Sequence, residues 1–326
     1  MGKVAIAVFF ASVAFGQNVD RVFRLVNATA VTSLQEIATT LRTIGQVQQL
    51  SVDNALATLT VKGTADQIAL AEWLIPKLDV TAGSNPGPQE YRVPGDSDDV
   101  VVVYGLAHAA TIQSVYDIAT TLRTVAEIQK IFAISTPIVT LRGTASQMAL
   151  AEFLLAELDQ PAQARQNAFL HEFRMTGGGK NIVVVYGLAH TDSSLSLQEI
   201  ITNIRAVLVI QRIFQVTAPK LLSIRGSESD MQMLKWLIPE LDRQTAKAGG
   251  NEMHVPGGND DVVHVFYLTH VTNMKGMNEL LTELRTTPHI QKAFVRSVPA
   301  ALVLRGTADQ IATAGQIIEL RDRAAP

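Results

Sequence analysis

Apolar residues fall in the same order four times along this chain. Residues 138–142 (Ile-Val-Thr-Leu-Arg) read as a short strand that ends at Gly143. Thr144 then opens a helix whose apolar positions, Met148, Ala151, Leu155 and Leu158, recur at helical spacing until Asp159. The pattern returns over residues 59–79, 222–242 and 303–322. The glycines Gly63, Gly143, Gly226 and Gly306 mark it about 80 residues apart, and repetition at a fixed period sets the architecture before any single motif does. Each glycine is expected to relieve the tight turn from strand to helix.

Each mark is preceded by the same run of elements. In the first repeat, residues 22–26 read as a strand, and Leu34, Ile37, Ala38, Leu41 and Ile44 give a helical stripe. Residues 47–52 and 57–62 then form a hairpin around Asp53 and Asn54. The other repeats follow suit, with first strands at 100–106, 182–188 and 262–268. The expected fold is α+β: four tandem strand-helix-strand-strand-helix repeats, spanning residues 17–80, 89–159, 169–242 and 251–322. Repeats two to four carry an addition, Glu90-Tyr91-Arg92-Val93, Glu172-Phe173-Arg174-Met175 and Glu252-Met253-His254-Val255, each followed by a turn-rich stretch. This reads as an extra strand hairpinned onto the first core strand, and repeat one lacks it.

The first core strands do not alternate. Residues 100–104 and 182–186 are apolar throughout, and 262–267 nearly so. A continuously apolar strand needs cover on both faces. Two helices cover one face of a small sheet; a neighbouring repeat, the added hairpin or another chain must cover the second. The interface candidates are therefore Tyr91, Val101, Val103, Tyr104, Phe173, Val183, Val185, Tyr186, Val263, Val265 and Tyr267.

Composition narrows the classes. Of 326 residues 47% are hydrophobic and 17% charged, with a net charge of -3: a folding chain without the basic surface that nucleic acid or anionic membrane would call for. Lys3, the apolar run 4–15 and the small residues Ala14 and Gly16 give residues 1–16 the three-part form of an export signal, with cleavage before Gln17. The expected location is periplasmic or extracellular. The run is too short to span a bilayer, and no other segment of the sequence is long enough. The absence of cysteine excludes disulfides, thiol nucleophiles and thiolate metal sites.

Candidate chemistry is sparse. His108, His190 and His270 stand at one position in three repeats, with Asn27 in the first, which suits a polar turn residue bonding to backbone. His254 and His264 could face each other across the fourth hairpin with His270 nearby, a weak candidate site for a metal that no carboxylate or cysteine completes by spacing. The glycines before Lys180 lack the following Ser or Thr of a phosphate loop. Arg142, Arg225 and Arg305, with Lys62 in the first repeat, read as solvated strand ends; only 6% of residues are aromatic, too few for a base-stacking surface. No catalytic triad, carboxylate pair or metalloprotease motif is present, so neither enzymatic activity nor a cofactor is expected.

The repeat resembles the periplasmic N-domains of bacterial secretins, the ring-building motifs. The resemblance rests on the first strand running into a turn (Val103 to His108), then a helix, a hairpin and the strand-Gly-Thr-Ala-helix-Leu-Asp signature of residues 138–159. It implies a scaffold that contacts itself or components of a secretion or type IV pilus system; the β-rich barrel domain of a secretin has no counterpart after repeat four. The resulting expectation is a non-enzymatic exported scaffold or oligomerisation protein. The alternative is a monomeric periplasmic binding module, for a ligand or, in KH-like fashion, for nucleic acid, although the KH Gly-x-x-Gly clamp is missing.

Overall fold

The computed structural model describes residues 19–323 apart from 82–83, 85–86, 96–97, 110, 162–167, 177–180, 192, 218–219, 248 and 259. The expected export signal, residues 1–16, lies outside the described residues, as does the glycine run before Lys180. The fold is α+β. The first repeat supplies β1 (Val19–Arg24), α1 (Val31–Thr43), β2 (Gln49–Asp53), β3 (Thr58–Gly63) and α2 (Ala65–Leu78). The second supplies β4 (Gln89–Arg92), β5 (Val100–Gly105), α3 (Ile112–Val125), β6 (Lys130–Ile134), β7 (Ile138–Gly143) and α4 (Ala145–Leu158). The third supplies β8 (Phe169–Arg174), β9 (Ile182–Gly187), α5 (Ser194–Leu208), β10 (Ile213–Val216), β11 (Leu221–Gly226) and α6 (Glu228–Leu241). The fourth supplies β12 (Asn251–His254), β13 (Asp261–Tyr267), α7 (Met274–Thr286), β14 (Lys292–Arg296), β15 (Ala301–Thr307) and α8 (Ala308–Arg321).

All pairings are antiparallel. The first sheet has the order β1-β3-β2; the others, β4-β5-β7-β6, β8-β9-β11-β10 and β12-β13-β15-β14, gain the added strand beside the first core strand. Helices α2, α4 and α8 begin with a Thr whose hydroxyl accepts the N–H of a Gln three residues on, while the Gln side chain takes the Thr N–H. Ser227 and Asp230 do the same for α6. The glycine before each box corrects the sequence reading. Gly63, Gly226 and Gly306 have no left-handed backbone to relieve. A Cβ on Gly63 would lie 2.5 Å from Gln67 Oε1, on Gly226 2.8 Å from Asp230 Cβ, and on Gly306 2.8 Å from Gln310 Oε1. Glycine is there because the capping side chain folds back onto it. Pro76 and Pro239 fall in the last turns of α2 and α6, which run on to Leu78 and Leu241.

Two compact units emerge, and they cut across the second repeat. One holds the chain up to Gly105 with Lys130–Gly143; the other holds Leu106–Gln129 with Thr144 onward. In the first unit, α1 and α2 lie between two sheets. Leu59 and Val61 of their own sheet and Val101, Val103, Ile134 and Ile138 of the next belong to one core with Leu34, Ile37, Leu41 and Leu74. In the second unit the third repeat is built alike. Its helices share a core with Val184, Leu222 and Ile224 of their own sheet and with Val263, Val265, Ala301 and Val303 of the fourth. Helix α3 packs against β10 and β11 of the third sheet. Each sheet thus covers the helices of the repeat before it.

Candidate functional site: the repeat junctions

Three side-chain contacts rebuild the same junction each time. The first is an arginine at the end of the third core strand. Arg142 Nη1 donates to Ile44 O at 2.8 Å, Arg225 Nη1 to Val125 O at 3.3 Å, and Arg305 Nη1 to Val207 O at 2.7 Å. Those carbonyls close the last turns of α1, α3 and α5, where the helix dipole favours a cation and the free C=O groups need donors. Arg142 also grips Asp99 through Nε and Nη2, and this hydrogen bond holds the Asp99 carboxyl below its usual range against the opposing effect of burial. These arginines were expected to be solvated strand ends. They are instead largely buried, because their stems cross the sheet face that meets the preceding helix.

The second contact is a helix carboxylate on the next hairpin. Glu36 Oε2 accepts from Ser135 N (3.1 Å) and Oγ (2.7 Å); Asp117 Oδ2 accepts from Thr217 N (3.4 Å). Glu199 Oε2 accepts from Ser297 N (3.1 Å), Ser297 Oγ (2.8 Å) and Arg296 Nη1 (2.8 Å). Arg296 is 2% exposed and also donates to Leu241 O and Ser196 O, so the third junction contains a buried arginine paired with a partly buried carboxylate. One helical turn on, Asn203 Nδ2 reaches Val295 O at 3.1 Å; the same position holds Thr40 and Thr121, both fully buried.

The third contact is aromatic and explains the added strand. Trp73 on α2 meets Tyr91 on β4 with centroids 5.2 Å apart, and Phe153 on α4 meets Phe173 on β8 at 5.3 Å. Trp236 on α6 and Met253 on β12 pack on the third core. The strand widens the sheet until it reaches the second helix of the preceding repeat. Among the described residues, the sheet of repeat one has no such strand.

The interface candidates therefore separate. Val101 and Val103 face α1 and α2, and Val263 and Val265 face the third repeat. Val183 and Val185 are fully buried and share, by register, the face of Arg225 and Ser223. Tyr267 joins this set: its hydroxyl donates to Glu240 Oε2 at 2.5 Å, and burial, reinforced by that carboxylate, pushes its pKa well up. Tyr104 and Tyr186 do not belong with them. Each is one residue out of phase, and Tyr186 joins the core of its own repeat. The question of intramolecular or intermolecular cover is answered within the chain.

The two outer faces differ from the three junctions. On the free face of the first sheet, Asp20, Ser51, Asp53 and Thr58 occupy the register positions of Val101, Phe132, Ile134 and Ile138. Asp53 turns its carboxylate onto its own hairpin N–H groups at Ala55 and Leu56. Lys62 stands for the junction arginine. On the last helices, Glu283 replaces Thr40, Thr121 and Asn203; Thr287 replaces Ile44, Val125 and Val207; Gln316 replaces Trp73, Phe153 and Trp236. Both ends carry polar residues at most positions where an internal junction carries apolar ones, and Val22 keeps the apolar character of its counterpart Val103.

A clasp within each repeat was missed at the sequence level. The aspartate that stops the second helix takes the N–H groups of the turn after the first core strand. Asp79 accepts from Val26, Asn27 and Ala28; Asp159 from Ala107, His108 and Ala109; Asp242 from Ala189 and His190; Asp322 from Thr269, His270 and Val271. Asn27 Nδ2 and His270 Nδ1 then meet the backbone oxygens of Asp79 and Asp322 at 2.8 and 3.0 Å. The side chain at this position therefore bonds backbone far along the chain. The signal was available: the aspartate and the His or Asn recur together in all four repeats. Burial works to raise the Asp322 carboxyl, but the N–H groups and the Thr269 hydroxyl outweigh it and hold it low.

The weak metal pair His254 and His264 lies on neighbouring strands, with His264 Nδ1 3.1 Å from Glu252. Among the described residues no three His, Cys, Asp or Glu side chains converge as a metal site. No helix among them is long and apolar enough to cross a membrane.

No family profile matches the sequence, and no curated protein does. Solved structures do match. A protein of unknown function from Aeropyrum pernix aligns over 46% of this chain and 85% of its own, with 12% identity and a TM-score of 0.25. The N-terminal domain of the secretin XcpQ from Pseudomonas aeruginosa aligns over 43% and 62%, with 16% identity and a TM-score of 0.19. ExeD of Aeromonas hydrophila aligns over 90% and 60%, with 15% identity and a TM-score of 0.17. The chain spans about three fifths of the length of these last two. At such scores the likeness transfers no function.

Two outcomes follow from the junction and the clasp. Glu199→Ala leaves Arg296 buried without its carboxylate and should lower stability by about 3–5 kcal/mol, whereas Glu279→Ala at the same position of the free α7 should change it by less than about 0.5 kcal/mol, both read by urea denaturation. Asp322 has a depressed folded pKa, so its contribution is complete above the unfolded value of about 3.9 and fades as pH falls through the folded value below that. Asp322→Asn should flatten this acid limb in a plot of denaturation midpoint against pH.

Proposed function

We propose that this chain is a non-enzymatic, exported protein-binding scaffold that serves a secretion or type IV pilus system. The observation that carries this reading is the use made of its polar groups. The carboxylates and arginines that recur through the repeats, with the turn side chains of Asn27 and His270, are engaged in clasps and junctions, which supports a structural protein over a catalyst. The secretin-like order of elements, read from the residues, supports the link to secretion.

Contacts with a partner protein fall to the surfaces that the junctions leave free. Strand faces are consumed inside the chain, and polar end faces argue against copies adding head to tail. The β1 edge of the first repeat is different. Each of the other three sheets has an added strand on the corresponding edge, whereas among the described residues β1 pairs only with β3 and leaves Val19 and Val22 45% and 63% exposed. A sheet edge of this kind accepts an extended segment of another protein.

Light scattering of the full chain and affinity capture from a periplasmic extract test the proposal together. The expected result is a chain that does not polymerise and that retains a defined protein partner, with capture reduced at least about tenfold by Val22→Lys, the scale of a lost interface anchor. A monomer that retains no protein, or a partner held equally by Val22→Lys, contradicts the function or its placement, respectively.

A further inference from the structure

The third and fourth repeats differ at one place where the second helix overlies the added strand. In repeat three this place is filled. Lys235 on α6 donates from Nζ to Glu172 on β8 at 3.3 Å, and Arg174 on β8 reaches Glu228 on α6 at 2.7 Å. Counted from the strand-ending glycines Gly226 and Gly306, the counterparts of Lys235 and Glu228 on α8 are Gly315 and Ala308. The counterpart of Glu172 is kept as Glu252. Removal of the two long side chains leaves a cavity of about 320 Å³ bounded by Glu252, His254, His264, Phe266, Ala308 and Gly315.

Three further features distinguish this cavity from loose packing. Gly315 lies inside a helix, where glycine is a poor choice, and nothing local demands it: its backbone is right-handed, and an added Cβ would meet the Phe266 ring at an ordinary 3.6 Å. The wall opposite is a stacked pair, His264 on Phe266, with centroids 3.8 Å apart and planes at 12°. Among the described residues, the partner of the Glu252 side chain is His264 Nδ1 alone. Burial lowers the His264 pKa despite that carboxylate, so the ring stays neutral near pH 7 and the charge on Glu252 is not cancelled. The site therefore offers a carboxylate at its rim, an aromatic face and a slot walled by the small and apolar residues Ala308, Ile311, Ala312 and Gly315. An alkylammonium group lies well in such a slot, stem on ring and charge on carboxylate.

We infer that this cavity binds a lysine side chain presented by a partner protein, which takes the place that Lys235 fills internally one repeat earlier. The inference deepens the scaffold reading and rests on it for the source of the lysine. The experiment is an NMR titration of the full chain with an N-acetylated, C-amidated Ala-Lys-Ala peptide, with the norleucine peptide and butylammonium as comparisons. The expected result is weak, saturable binding, with a Kd of about 1 mM for so small a ligand, and shifts centred on Gly315, Phe266 and Glu252. Glu252→Gln should weaken it about fivefold, as for a partly exposed ion pair. Gly315→Lys should abolish it by filling the slot from within, and Gly315→Ala should retain it, which separates occlusion from misfolding.

No shifts at saturating peptide, equal binding of the norleucine peptide, or binding unchanged in Gly315→Lys overturns the inference. Tighter binding of butylammonium than of the peptide overturns the assignment to a protein side chain in favour of a free amine. The titration reads the cavity without any cellular partner. Its failure beside a successful capture experiment rejects this site alone, and a failed capture beside successful titration rejects the scaffold reading alone.

Discussion

A small sheet with apolar residues on both faces of its central strand cannot leave either face in water. β5, β9 and β13 all have this character, and each sheet resolves it by lying on the helices of the preceding repeat. The burial of a valine side chain contributes about 1.5–3 kcal/mol, so each junction has several such residues behind it. Everything else at the junctions adds register to this apolar contact. The arginine finds the helix end, the carboxylate finds the hairpin turn, and the aromatic pair extends the contact to the second helix. A slip by one residue would turn Val101 and Val103 away and bring the out-of-phase residues Val102 and Tyr104 in.

The same constraint explains what repeats one and four lack. The first sheet, which has no added strand among the described residues, carries Asp20, Ser51 and Asp53 on its outer face. On the fourth repeat Thr287 and Gln316 are exposed, and Glu283 pairs with Arg321. Terminal repeats with polar outer faces keep arrays of this kind from growing.

Much of this was legible in the residues. Periodicity gave the strand-helix-strand-strand-helix order, because helical stripes such as Leu34, Ile37 and Leu41 differ in spacing from a strand. The added strand was visible from Glu90-Tyr91-Arg92 and its two echoes. The assignment of faces was not, for a physical reason: a strand that is apolar throughout carries no alternation to say which side points where. Tyr104 and Tyr186 were grouped with the junction valines for that reason alone. The arginines looked solvated because burial by a contact distant in sequence leaves no local mark. The aspartate clasps were hidden in the same way, since Asp159 meets residues some fifty positions earlier; co-occurrence of the aspartate with His or Asn across repeats was their trace. The cavity beside Gly315 emerged only when two repeats were compared position by position.

Asn203 offers the most direct test of the dependence of one repeat on the last, since it lies on α5 yet bonds to β14. Amide hydrogen exchange of the Asn203→Glu variant, which places there the glutamate that repeat four carries as Glu283, reads that dependence strand by strand. Loss of protection in β13, β14 and β15 is the predicted result, although the substitution lies in the preceding repeat. Unchanged protection across those three strands would contradict the claim that each sheet is held in place by the helices before it.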